Sequence, residues 1–71
     1  MTAAELITLP VSERLRTVRT ANGMTVDEVA AACNISAASV RAYEAGHRIP
    51  RDSVKIAIAT MYRMDLPSLF F

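Results

Sequence analysis

The sequence predicts an all-α domain of five short helices and no strand. Three observations carry that expectation. Much of the 52% hydrophobic fraction is alanine, with little clustering of β-branched residues, a composition suited to closely packed helices. Apolar residues recur at helical spacing. The segments so marked open on capping residues and close on glycine or asparagine. With 71 residues there is room for one small core, and 21% charged residues is a globular balance. A single cysteine, Cys33, rules out an internal disulfide, and one histidine, His47, leaves too few ligands for zinc. No metal or cofactor is therefore expected, and the core has to hold by apolar packing, aided by dimerisation.

Residues 1–9 read as a short apolar N-terminal arm, in which Thr2 and Glu5 have capping-box spacing and predict one turn of helix. The domain proper is expected over residues 10–71. Its first helix should start near Pro10, run to Asn22 on the stripe Val11, Leu15, Val18, and stop at Gly23. Thr25 followed by Glu28 is a second capping box, and it opens a helix bearing Val26, Val29, Ala30 and Cys33. Asn34, tolerant of the left-handed conformation, ends that helix. Ser36 caps the third, whose inner face is Val40 and Tyr43 and whose stop is Gly46. Beyond Pro50, a fourth helix is predicted from Arg51 to Arg63, with Val54, Ile58, Met61 and Tyr62 inward. Asp65 caps the last, Leu66 to Phe70, with Pro67 in its first turn.

The second and third helices are joined by only a few residues. A small residue, Ala30, stands where they must cross closely, and Val40 fills the space between them. That is helix-turn-helix geometry. Net charge is only +1, yet the cations are almost all arginine, with Lys55 the sole lysine, and arginine's planar fork suits phosphates and base edges. Catalysis has no footing: no Ser/His/Asp set, paired carboxylates or metal-ligand cluster appears, so the chain is not read as an enzyme. No apolar run approaches the ~18 residues of a membrane span and no signal pattern opens the chain, so a cytoplasmic location is expected.

The segments ERLRTVRTANGMTVDEVA, NIS, VRAYEAG and DLPSLF, together with RIPRDSVKIAIA, resemble the phage repressor and Cro (XRE) family from about Ser12 to Phe70. The resemblance implies a compact, five-helix, lambda-repressor-like domain. It also implies a transcriptional regulator that binds a double-stranded DNA operator, usually as a homodimer. Carried over residue by residue, it places Ala37, Ala38, Ser39, Arg41 and Ala42 at base edges. Thr25, Ser36, Arg48 and Arg51 fall near the DNA backbone, and Arg19 and Glu44 form an internal ion pair. Val26 stands where the family often has a phosphate-contacting glutamine, and Ala45 replaces a frequent asparagine. Those departures, with the bare alanine face, leave a second reading: a protein-interaction module on the same fold, an antitoxin-like or anti-regulator partner of a regulatory protein. Alanine methyl groups can pack on thymine methyls, which answers how so plain a helix could read DNA.

Overall fold

The computed structural model describes residues 2–71; Met1, the first residue of the predicted arm, lies outside them. The chain forms α1 (Ala3–Leu6), α2 (Val11–Ala21), α3 (Val26–Cys33), α4 (Ala37–Ala45), α5 (Asp52–Tyr62) and α6 (Leu66–Phe70). No strand occurs among the described residues. Five of these helices are the predicted ones. The sixth, α1, is a short helix where one turn was expected in the arm, with the Glu5 N–H donating to Thr2 Oγ1 at 3.2 Å. Leu6 of α1 is buried in the common core.

Helix starts follow their caps. Thr25 accepts from the Glu28 N–H at 3.1 Å while its own N–H donates to Glu28 Oε1 at 2.8 Å, the reciprocal capping box. Those hydrogen bonds to Thr25 hold the Glu28 carboxyl below its usual range. Ser36 and Asp65 accept from the N–H groups of Ser39 and Ser68. The Ser68 hydrogen bonds likewise lower the Asp65 carboxyl.

Four helices stop by one device. Gly23, Asn34, Gly46 and Arg63 all take positive φ, between 55° and 78°. The residue after each turns its N–H back to a carbonyl five residues earlier: Met24 to Arg19, Ile35 to Ala30, His47 to Ala42 and Met64 to Ala59, at 2.9–3.1 Å. These hydrogen bonds satisfy carbonyls that a helix end leaves open and reverse the chain tightly. Three of the stops are marked in the sequence; the left-handed Arg63 carries no such mark.

Helix α2 packs against α4 and α6, α3 against α4 and α5, and α5 against α6. The core gathers Leu15, Val18, Val29, Val40, Tyr43, Ile58, Leu69 and Phe70 with Leu6 and the small residues Ala30, Cys33 and Ala59. On α5, Ile58 is buried as expected. Its other deep residue is Ala59, whereas Val54, Met61 and Tyr62 are half-buried at the margin. Burial is also the main cause that pushes the Tyr62 phenol up to about 12, with the Glu44 carboxylate adding to it.

One charged side chain lies in this interior. Arg14 is only 7% exposed. Its guanidinium donates to the main-chain oxygens of Leu9 at 2.7 Å, Ile7 at 3.1 Å and Phe71 at 3.3 Å. A buried cation needs that degree of hydrogen bonding to be tolerated. The sequence does carry a signal for it, since position 14 falls within the α2 stripe, three residues after Val11 and four before Val18.

Leu69 has no exposed surface and lies where α6 meets α2 and α5. Leu69→Ala is expected to cost about 2–5 kcal/mol, through lost apolar transfer and the cavity left behind. Urea denaturation against the parent protein measures it; a loss below ~1 kcal/mol would show that α6 is not part of the cooperative core.

Candidate nucleic-acid interface

The corner between α3 and α4 is built from small and left-handed residues. Ala30 is 6% and Val40 4% exposed, two small apolar side chains buried on helices that pack together. Asn34 reverses the chain at φ 55°, and Ser36, in extended conformation, opens α4. This short connection turns the chain tightly from α3 into α4, which packs on α2 and α3 and leaves its remaining face to solvent.

On that surface Ala38, Arg41 and Ala45 are exposed, and Ala37, Ser39 and Ala42 are half-buried. Ala37 turns partly toward the core, against which it packs. The outward strip is therefore Ala38, Ala42 and Ala45, with Arg41 on one side of it. No acidic residue stands in the first turn of α4. By contrast the first turn of α3 carries Asp27 and Glu28, beside Thr25.

The loop after α4 returns to the helix. The N–H groups of His47 and Arg48 both point to the Ala42 carbonyl, at 2.9 and 3.4 Å. The Arg48 guanidinium lies over the Tyr43 ring, 5.5 Å from its centroid, and Nη1 donates to Ser39 Oγ at 3.2 Å. The Ser36 hydroxyl donates to that same oxygen at 2.9 Å. The family resemblance assigns Ser39 and Arg48 to different tasks, and the structure brings them together. Arg51 is exposed just before α5 and makes no side-chain cap there.

Arg19 and Glu44 meet in a bidentate pair, Nε to Oε2 at 2.7 Å and Nη2 to Oε1 at 3.0 Å. The third arm of the guanidinium, Nη1, donates to the Met24 carbonyl at 2.9 Å. Both side chains are mostly covered, at 15% and 11% exposure. The Glu44 hydrogen bond keeps the guanidinium's pKa above its ordinary value despite that burial. The pair takes the one acid of α4 out of play, so its carboxylate does not face outward with the alanines.

A family model for the helix-turn-helix domain matches residues 11–69, from the start of α2 into α6. The chain belongs to this helix-turn-helix family. As a helix-turn-helix domain, with α3 and α4 as its two helices, it has the architecture of a DNA-binding module. No curated protein and no solved structure gave a significant match. Among the described residues, no group of three or more His, Cys, Asp or Glu could hold a metal ion. No helix among them is long and apolar enough to cross a membrane.

Because Arg19 and Glu44 share two hydrogen bonds away from solvent, removing one partner strands the other. Glu44→Gln is expected to cost about 1–3 kcal/mol. The double variant Arg19→Met with Glu44→Leu should lose less than the two single losses added together. Urea melts of the parent, Arg19→Met, Glu44→Leu and the double variant close the cycle. Strict additivity would show that the pair carries no coupling energy.

Proposed function

We propose that this helix-turn-helix domain is a sequence-specific regulator of transcription of the phage repressor and Cro type, binding rather than catalytic. The observation that carries the reading is the outer face of α4: a smooth alanine strip, free of acid, bordered by arginine and left to solvent after a tight helix-turn-helix corner. A helix with its side chains is about 10–12 Å across, and the B-DNA major groove is about 12 Å wide. Small residues let the α4 backbone come close to the base edges. Ala37, Ala38 and Ala42 then contribute shape and methyl contacts, and Arg41 supplies the polar reader, suited to the O6/N7 edge of guanine.

Phosphates are taken by the main-chain N–H groups at the α4 N-terminus, at Ser36 and just beyond it, and by Arg48 and Arg51 after the helix. Thr25 is the weaker anchor of the two helix starts. Its N–H already donates to Glu28, and Asp27 and Glu28 oppose an approaching phosphate.

The operator reading calls for a homodimer. Half-sites recur about 34–36 Å apart, and a domain of 29 × 22 × 20 Å leaves two copies on successive turns close enough to touch. Exposed Ile49, Ile56 and Phe71 offer the apolar surface for that contact.

Two substitutions test the docking. Ala38→Glu retains a good helix former at an exposed site, so stability should change by no more than ~0.5 kcal/mol. In the groove the same carboxylate faces phosphates, and binding to the DNA flanking the protein's own gene should collapse at all salt concentrations. Parental affinity in an anisotropy titration would instead leave the domain as a protein-interaction module. Arg41→Ala should relax preference at one base pair, by about 1–3 kcal/mol, with the fold intact. Equal losses on specific and random duplexes would move Arg41 from a base to a phosphate.

A further inference from the structure

The hydroxyl of Ser39 has its acceptor capacity used within the protein, and only its O–H proton is left unengaged. Its oxygen accepts from the Ser36 hydroxyl at 2.9 Å and from Arg48 Nη1 at 3.2 Å, which occupies both lone pairs. Its N–H is likewise used, capping onto Ser36 Oγ at 3.0 Å. Ser39 is half-buried beneath the returning Arg48 side chain, and the ring of Tyr43, one turn further on, lies under the guanidinium. The place of Arg48 is thus defined by its main-chain bond to Ala42, by the Ser39 oxygen and by the Tyr43 ring.

Helix geometry gives that position a meaning. Successive residues rotate by about 100°, so Ser39 stands about a quarter-turn from Ala38 and from the alanine strip. Arg41, on the other side, is nearer the strip, about 40° from Ala45, where its long side chain still reaches the base edges. A helix that fills a groove of its own width turns its front to the bases and its flanks to the phosphate walls. Arg48 therefore faces a wall and not the floor. One of its five N–H donors is engaged by Ser39, and the others remain for a phosphate, which a planar guanidinium takes bidentately.

We propose that Ser39 is a positioning residue and not a base reader: with Tyr43 it holds Arg48 along the flank of α4, preformed to grip one backbone phosphate of duplex DNA. The inference rests on the DNA-binding reading for its ligand, whereas the preformed arrangement belongs to the free protein. Holding a long side chain in place before binding spares the ordering that would otherwise oppose association, which amounts to about two- to tenfold in affinity.

The test uses Ser39→Ala, Arg48→Ala, their combination and Ser39→Thr, with a short mixed-sequence duplex and a salt titration. Arg48→Ala should lower the slope of log K against log salt by about 0.9, the share of a single neutralised phosphate. Ser39→Ala should weaken binding about two- to tenfold in the parent and leave it unchanged in the Arg48→Ala background, while Ser39→Thr, which keeps a hydroxyl, restores it. In the free protein, NMR should show Arg48 side-chain protons shifted upfield by the Tyr43 ring, and Ser39→Ala should relax that shift. Weaker binding from Ser39→Ala in both backgrounds would mean that Ser39 touches DNA itself and would overturn the proposal. So would an unchanged slope in Arg48→Ala, or Arg48 protons unshifted in the parent. A parent protein that shows the ring shift but binds no duplex would sink the DNA-binding reading, and the phosphate assignment with it, while leaving the held arginine standing.

Discussion

The guanidinium of Arg19 is the constraint on which the rest of the domain depends. It belongs to α2, grips the carboxylate near the end of α4 and also holds the Met24 carbonyl in the connection to α3. Both helices of the helix-turn-helix unit are thereby referred to one side chain. A planar group that donates in fixed directions restrains rotation as well as distance. Apolar packing of α4 through Val40 and Tyr43 leaves its azimuth softer, since hydrophobic burial is non-directional. With the pair in place, the alanine strip and the two flanks of α4 have defined orientations relative to the body.

Much of the fold was legible because it is written in local chemistry. Thr25 with Glu28, Ser36 and Asp65 each satisfy N–H groups three residues ahead, so the start of a helix needs no knowledge of the tertiary structure. Gly23, Asn34 and Gly46 mark stops for a similar reason: they are the residues that adopt positive φ at least cost. Arg63 takes the same conformation without being such a residue. There the Met64 N–H closing onto Ala59 and the packing of α6 hold a backbone that the side chain itself does not favour. Ala59 escapes a periodicity reading because a methyl group gives a faint signal beside Ile58.

The interface was legible in outline and not in its connections. A bare alanine run after a capped turn points to a reading face, and the family resemblance points to the Arg19–Glu44 tie. The meeting of Arg48 with Ser39 depends on how a loop folds back after a left-handed glycine, and no periodicity encodes that. Arg14 is a sharper case. Its stripe position indicates burial, but its partners include Phe71, 57 residues away, and only the assembled fold supplies them.

That buried arginine also joins the two outlying segments of the domain. Its hydrogen bonds run to Ile7 and Leu9 on one side and to Phe71 on the other, so neither segment can peel away without breaking a bond of the cation that secures both. Segments at the margin of a small domain ordinarily fray independently, with opening free energies near zero. Here the segment that follows α1 and the residue that closes α6 are instead fastened by a common rivet. Amide protons in the two should exchange with solvent as one cooperative unit, although they lie at opposite ends of the described chain.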